Sequence, residues 1–268
     1  MYEYERLFPI LQDLRCIKSD IEVAVMQRAC NITEKGFRRV LEFVKPGILE
    51  YEVEAEYIHE FVRNGSKGFG YSPIIGGGAN SCALHYLENN QVLKDGEILL
   101  MDVGAEYGNY NSDMTRTIPV NGRFTARQKA VYEAVLRVKK AATSLLVPGG
   151  KIPDYHKEVG KLMEKELVDL GLLSLDDLKK ESKERPAYKK YFMHGTSHHL
   201  GLDVHDVASV YKKFEPGMVF TVEPGIYIEE ESIGIRLEDD IVITQEGQMN
   251  LMKNIPIEAE EIEDLMNA

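Results

Sequence analysis

Acidic residues stand beside short apolar runs at four places, and they constrain the fold more than any other feature of the sequence. Asp102 follows the run EILLM, and Glu223 follows MVFTV. Asp113 lies on the return segment after Asp102, and Glu238 lies within IGIRLEDDIVI. Such runs predict buried strands, where a lone carboxylate is costly unless it is paired or bound to a cation. The fold must therefore bring compensating charge to all four positions.

Two sources of that charge are open. Arg116 and Arg236 lie in the same predicted strands, and each could neutralise one carboxylate. Two arginines cannot balance four buried anions, so divalent metal accounts for the whole pattern better than ion pairing does. A set of carboxylates with one histidine suits hard or borderline cations such as Mn²⁺. Two such ions could share one hydroxide as a nucleophile and stabilise an opposing oxyanion.

A histidine-rich window, HGTSHHLGLDVHD, offers the nitrogen donor. It holds four of the seven histidines of the chain: His194, His198, His199 and His205. His198 and His199 are adjacent, so on extended backbone they point to opposite faces, and at most one faces a shared site. The spacing is not the HExxH pattern of a helical zinc site. The window alone is therefore a weak metal signal, and for any single histidine a packed or surface role competes with ligation.

The composition excludes several classes of function. The 268 residues carry a net charge of −12, which argues against nucleic acid, because phosphates are bound through Lys and Arg clusters. It equally disfavours an anionic membrane surface. No apolar run approaches the ~20 residues that span a bilayer, and the start lacks a secretory signal pattern. Three cysteines without CxxC spacing indicate a reducing compartment, so we expect a cytoplasmic protein.

The order of the predicted elements indicates an α+β fold. Ser19 can cap a helix that Pro46-Gly47 ends, and a second helix covers about 50–62. Thr125 can cap a third helix, and a fourth follows Pro153. Each helix pair precedes a predicted strand pair, the first around YGNYN and the second around EEESIG. This repetition predicts one domain made of two structurally similar halves.

Four segments resemble the catalytic domain of the Xaa-Pro aminopeptidase (aminopeptidase P) family. In chain order they are LLMDVGAEYGNYNSDMTRTIPVNGRFT, FMHGTSHHLGLDVHD, EPGMVFTVEPGIYI and GIRLEDDIVIT. The motifs are long and specific for the pita-bread metallopeptidase superfamily, which also holds prolidase, methionine aminopeptidase and the metal-free creatinase. The resemblance covers nearly the whole chain and implies two pseudo-symmetric halves around a dinuclear metal site. It implies Mn²⁺ as the usual metal, with Co²⁺ or Zn²⁺ as alternatives.

The resemblance also implies roles for individual residues. The five implied metal ligands are Asp102, Asp113, His198, Glu223 and Glu238, of which Asp113 and Glu238 would bridge both ions. A metal-bridging hydroxide would attack the carbonyl before proline, and Glu223 would act as general base and then acid. The other implied site residues line the substrate pocket or support the ligands: His85, His194, His205, Tyr227 and Arg236. His199 is left with a structural role.

The expected activity is removal of the N-terminal residue from peptides with proline in second position. A prolidase-type Xaa-Pro dipeptidase, a methionine aminopeptidase and a non-catalytic binding protein on the same fold are the alternatives. The family normally carries an extra N-terminal domain, and the sequence shows none before residue 17. We therefore interpret residues 1–16 as a junction segment and residues 17–268 as the catalytic domain. Peptide-length preference and assembly, including a homo-oligomer, stay open.

Overall fold

The computed structural model describes residues 6–180, 182 and 186–268, which form an α+β fold. The helices are α1 (Leu7–Cys16), α2 (Asp20–Phe43), α3 (Glu50–Arg63), α4 (Ala126–Leu145), α5 (Ile152–Asp169), α6 (Leu175–Lys180) and α7 (Ala259–Met266). The strands are β1 (Ile74–Gly77), β2 (Ile98–Val103), β3 (Glu106–Tyr107), β4 (Tyr110–Asn111), β5 (Met114–Pro119), β6 (Val219–Val222), β7 (Gly225–Ile228), β8 (Ile233–Arg236), β9 (Asp239–Thr244) and β10 (Gly247–Asn250). Within these described ranges, none of the helices combines the length and the apolar character needed to cross a bilayer.

The two long helices begin at the capping residues that the sequence predicts. The Ser19 hydroxyl accepts the Glu22 backbone N–H, and the Glu22 carboxylate accepts the Ser19 N–H. Thr125 and Gln128 form the same reciprocal pair at the start of α4. Both pairs satisfy backbone donors that the first helical turn leaves without partners. Helix α2 packs against α3 in the first half, and α4 packs against α5 in the second half.

Each predicted strand pair is divided into two smaller ladders. In the first half β2 pairs with β5, while β3 and β4, which lie between them in the chain, form a separate two-stranded ladder. Gly104 lies between β2 and β3, where a Cβ atom would come within 1.7 Å of the Ser112 carbonyl oxygen. In the second half β6 pairs with β9 and β7 with β8. Pro224 separates β6 from β7, because proline cannot donate to a ladder.

The two halves meet where β5 approaches β8 and the start of β9. The Glu238 backbone N–H donates to the Thr115 carbonyl oxygen at 3.0 Å. The Thr117 hydroxyl lies 3.2 Å from the Arg236 carbonyl oxygen. One continuous apolar cluster fills both halves. Residues from two distant parts of the chain are therefore fixed side by side at this seam.

The sequence analysis assigned no helix to residues 7–16, whereas the structure forms α1 there. Its apolar residues Leu7, Ile10, Leu11 and Leu14 repeat at helical spacing, so the sequence carries a helix signal here, although these side chains are exposed, with 70% of Leu14 accessible. Its last turn contacts the loop after His199: Arg15 pairs with Asp203 at 2.7 Å and also with Asp206. Lys18 pairs with the same Asp206 at 3.0 Å, and both side chains are buried. Arg15 and Lys18, which lie on either side of the predicted boundary between the junction segment and the catalytic domain, therefore both contact Asp206.

The charged sequence of residues 174–190 predicts a solvated helical excursion, and the structure describes this segment only in part. Its first residues form α6, whose residues are not buried. Residues 181 and 183–185 lie outside the described residues, as do the first five residues of the predicted junction segment.

Arg116 is fully buried and compensates Asp239 rather than any of the four acids singled out above. Its Nη2 lies 2.6 Å from Asp239 Oδ1, and Lys139 contacts the other carboxylate oxygen. Burial alone raises the pKa of Asp239, but Arg116 and Lys139 outweigh burial and hold that pKa below its usual value. Of the two arginines that the sequence offers as ion-pair partners for the four acids, Arg116 therefore pairs with a different acid, Asp239.

We expect Arg116→Met to lower the free energy of unfolding by about 3–5 kcal/mol, because it leaves a buried carboxylate short of positive charge. Urea denaturation of the metal-free chain measures this change. The matched control is Arg137→Met, whose ion pair with Glu166 lies on a side chain that is 55% exposed. A surface pair of this kind contributes at most ~1 kcal/mol. Equal losses in the two variants would contradict the assignment of Arg116.

Candidate metal centre

Five potential ligands line one cleft of about 290 Å³ between the two halves. They are Asp102, Asp113, His198, Glu223 and Glu238. Asp102 lies on β2 and Asp113 immediately precedes β5, while Glu223 immediately follows β6 and Glu238 immediately precedes β9. Since β2 pairs with β5 and β6 pairs with β9, each half contributes two acids from one strand pair. The structure therefore brings together all four acids that the sequence singled out.

His198 reaches the cleft from an extended segment that runs beside β6. The Thr221 N–H donates to the His198 carbonyl oxygen at 3.0 Å, and His199 forms a β-bridge with Phe220. The ring of His199 packs on Phe220 with centroids 4.2 Å apart, while the ring of His198 lines the cleft. The two neighbours face opposite ways, as their adjacency predicts. Only the first of them is available to the acid cluster.

The donor atoms of this cluster are close enough to share a cation. Asp113, His198 and Glu238 each offer one donor atom, and these atoms lie within 4.8 Å of one another. Nε2 of His198 is 3.4 Å from Asp113 and 3.8 Å from Glu223. Its Nδ1 lies 3.0 Å from the His199 carbonyl oxygen, which fixes the proton on Nδ1. Nε2 therefore faces the cleft, and when it gives up its proton it offers a lone pair there, as a metal-binding histidine requires.

The electrostatics of the cluster favour uptake of positive charge. Burial raises the pKa of Asp102, although Arg236 opposes the shift. Burial also raises the pKa of Glu223 to about 7, and burial together with Asp113 raises the pKa of Glu238 well above its usual value. Burial alone would lower the pKa of His198, but Asp113 and Glu223 outweigh it and raise that pKa to about 9. The cluster thus gains stability from protons or cations.

Asp102 is held from two sides. Nη2 of Arg236 lies 2.6 Å from its Oδ2, and the Tyr71 hydroxyl lies 2.7 Å from its Oδ1. The same hydroxyl is 2.5 Å from Asp113 Oδ1, so its single proton serves one carboxylate at a time. The sequence analysis missed Tyr71, because it stands in a loop before β1 where no periodicity or motif distinguishes it.

Two further supporting residues were also missed. The Thr115 hydroxyl donates to Glu238 at 2.6 Å across the seam between the halves. The Asp240 carboxylate accepts the Asp113 backbone N–H at 3.0 Å. Both residues lie in strands that the sequence predicts, but the partner of a strand residue depends on register, which the sequence does not reveal.

His194, Tyr227 and Arg236 form a hydrogen-bonded chain beside the cluster. Arg236 donates to the Tyr227 hydroxyl at 2.7 Å, and that hydroxyl lies 2.7 Å from His194 Nε2. Nδ1 of His194 is 2.7 Å from the Gly195 carbonyl oxygen. Burial and the nearby Arg236 lower the pKa of His194 to about 3, so the ring is neutral. Both ring nitrogens have partners, so a contact with a peptide requires the exchange of one of them.

His85 and His205 also line the cleft. The rings of His205 and His198 meet edge to face with centroids 4.3 Å apart. Burial and His198 lower the pKa of His205. His85 is exposed and stands on an irregular segment after β1. Both are therefore available to a ligand in the cleft.

The residues present fit divalent cations. Four carboxylates and one imidazole form a donor set without sulfur, which suits Mn²⁺ and similar ions. Among the described residues, Arg236 pairs with Asp102, and His198 lies beside Asp113 and Glu223, so the four acids outnumber the cationic side chains next to them. The cleft also leaves room for a peptide beside such ions.

Comparisons with known proteins agree with this geometry. A model of metallopeptidase family M24 matches residues 24–245. The Xaa-Pro aminopeptidase of Haemophilus influenzae is 43% identical over 97% of this chain and 63% of its own length. The Xaa-Pro aminopeptidase of Escherichia coli is 44% identical over 97% of this chain and 61% of its own length. The chain therefore spans less than two thirds of these relatives.

A solved structure extends the comparison to the fold. The structure named proline aminopeptidase P II from Yersinia pestis superposes with a TM-score of 0.92 at 43% identity, over 97% of this chain and 62% of that one. The expected pita-bread fold with its two similar halves is confirmed. The α+β architecture, the cleft between the halves and the family match lead to one conclusion: this chain belongs to metallopeptidase family M24.

Proposed function

We propose that the chain is the catalytic part of an Xaa-Pro aminopeptidase, which removes the N-terminal residue from peptides with proline in second position. The observation that carries the proposal is the five-donor cleft in a chain similar to Xaa-Pro aminopeptidases over 97% of its length. The free cysteines support a reducing compartment, and we propose the cytoplasm.

The proposed metal ligands are those that line the cleft: Asp102, Asp113, His198, Glu223 and Glu238. Asp113 and Glu238, both buried, would serve both ions. Asp102 would complete one ion, and His198 with Glu223 the other. We propose Mn²⁺ as the natural metal, because an oxygen-rich set with one imidazole suits it.

Two divalent cations, when bound, supply Lewis-acid activation of a water and of the scissile carbonyl. The chain itself contributes proton transfer and positioning. Glu223 would take the proton of the attacking water and return it to the leaving nitrogen. Arg236 and Tyr227 hold Asp102 and His194 in fixed orientations, and such partners tune ligands and pocket residues. His85, His194 and His205 would steady the peptide.

We expect the purified chain to bind about two Mn²⁺ ions and to release the first residue of an Arg-Pro-Pro peptide only when loaded, as metal peptidases require bound metal. Elemental analysis and peptide mass spectrometry measure the two quantities. Co²⁺ and Zn²⁺ loading identifies the preferred metal. Cleavage of an Xaa-Pro dipeptide with the longer peptide intact would favour a dipeptidase, and cleavage of Met-Ala peptides alone would favour a methionine aminopeptidase. Bound metal without any hydrolysis would favour a binding protein.

The adjacent histidines allow a sharp test of the ligand set. We expect His198→Ala to weaken Mn²⁺ binding more than about 10-fold, since even residues that only orient a ligand cost 10–100-fold. Isothermal titration measures this affinity. His199→Ala is the matched control, because its ring packs on Phe220 away from the cleft. His199→Ala should leave the Mn²⁺ affinity unchanged and lower the free energy of unfolding. The reverse order of effects would remove His198 from the ligand set.

Glu223→Gln tests the proton-transfer role. We expect kcat to fall by about 10²- to 10⁴-fold, the usual contribution of a positioned acid–base group. Elemental analysis must show that metal is still bound, so that the loss belongs to the chemical step. Glu229→Gln, an exposed acid beyond β7, serves as the control with unchanged turnover. Unchanged turnover in metal-loaded Glu223→Gln would rule the role out.

A further inference from the structure

Glu50 is a fully buried carboxylate that lies outside the metal cleft, at the first residue of α3. One oxygen accepts the Gly77 N–H at 2.8 Å and the Asn80 side-chain amide at 3.3 Å. The other accepts the Tyr86 hydroxyl at 2.8 Å and the Gln91 N–H at 2.9 Å. All four donors are neutral, and each oxygen receives two of them. A buried carboxylate is stable in this form because its lone pairs are satisfied.

These donors frame one stretch of chain, residues 78–91, which we call the cleft segment. Gly77 immediately precedes it and Asn80 lies near its start, while Tyr86 and Gln91 belong to its second part. Residues 83–91 adopt neither helix nor strand. Glu50 also donates its own N–H to the Gln91 carbonyl oxygen at 3.0 Å. A single side chain thus ties together both ends of a segment that has little regular hydrogen bonding of its own.

The cleft segment carries Leu84, His85 and Leu87, which line the candidate metal centre. His85 is exposed, and its ring has no hydrogen-bond partner among the residues that the structure describes. Its position in the cleft therefore depends on the backbone beneath it. That backbone is fixed by Glu50, and by Asn89, which accepts the Ile75 N–H and donates to the Pro73 carbonyl oxygen.

We propose that Glu50 is a positioning residue for the peptidase reaction, which acts by holding His85 at the substrate side of the cleft. The inference rests on the proposed function for the role of His85, and on the structure for the anchoring of the segment. Glu50 touches neither the metal ligands nor the substrate space, so its effect is indirect.

Glutamine is the informative substitution because it keeps the size of the side chain. A carboxylate accepts bonds on both oxygens, whereas an amide offers one oxygen and one NH₂ group. In Glu50→Gln the NH₂ group must face either the Gly77 N–H or the Gln91 N–H, and that buried donor loses its partner. Glu54→Gln is the matched control on the same helix. Glu54 makes one contact to the segment, from Asn89 at 3.1 Å, which an amide oxygen can still accept.

A double-mutant cycle with His85→Ala tests the coupling to catalysis. In metal-loaded enzyme we expect Glu50→Gln to lower kcat/KM on an Xaa-Pro peptide at least ~10-fold, within the ~100-fold that a 1 Å misplacement can cost. Mn²⁺ affinity should be unchanged, and Glu54→Gln should match the wild type. In the His85→Ala background the further loss should be less than about 2-fold, because both changes remove the same contribution. If the losses of kcat/KM from Glu50→Gln and His85→Ala multiply in the double variant, as they do for independent sites, the proposal is overturned.

Amide hydrogen exchange tests the anchoring without relying on activity. We expect residues 78–91 to exchange about 10-fold faster or more in Glu50→Gln, while the amides of β2 stay protected, as local opening predicts. Unchanged exchange would overturn the anchoring whatever the activity. Faster exchange in a chain whose wild type cleaves no peptide would refute the proposed function and keep the anchoring. If Glu50→Gln does not fold, Glu50→Asp replaces it. Aspartate keeps the charge but is too short to reach both ends of the cleft segment. The same loss of kcat/KM and the same faster exchange are therefore expected.

Discussion

Mutual repulsion among four carboxylates in one cleft is the constraint on which the rest of this structure depends. Two like charges about 4 Å apart repel by about 4 kcal/mol near a protein surface, and donor atoms of Asp113 and Glu238 lie within 4.8 Å of each other. Arg236 balances Asp102. Burial, together with repulsion from neighbouring acids, raises the pKa values of Glu223 and Glu238. A divalent cation removes the repulsion directly. The closed arrangement of the halves is therefore most stable when the cleft holds added positive charge.

Hydroxyl groups contact three of these acids, namely Asp102, Asp113 and Glu238, and this type of partner has a chemical reason. Tyr71 and Thr115 orient carboxylates by donating a proton without cancelling their charge. The opposite arrangement occurs at Asp239, where Arg116 and Lys139 neutralise the acid completely. An acid neutralised in that way has little affinity left for a metal. Asp239 is therefore a structural acid, whereas Glu238, its neighbour in the chain, stays available for ligands.

Much of the fold could be predicted because local patterns determine it. The caps at Ser19 and Thr125 and the acids beside apolar runs are local signals, and the structure places all of them as predicted. The missed features depend on contacts between distant residues. Tyr71 and Glu50 look like ordinary loop and helix residues until the fold supplies their partners. Helix α1 is a different case: Leu7, Ile10, Leu11 and Leu14 give its sequence a helical apolar repeat, and the structure leaves that stripe exposed.

The seam between the halves also determines when the cleft can form. Arg236 meets Asp102, and Thr115 meets Glu238, across separations of 134 and 123 residues. Lys18 meets Asp206 across 188 residues. Contacts of such long range close late, because the chain must first lose the entropy of the intervening loop. During synthesis the first half is made with Asp102 and Asp113 before Arg236, 134 residues after Asp102, has been added to the chain. The cleft can therefore assemble only after the second half has been made, and the full set of donor side chains for a metal exists only from that point on.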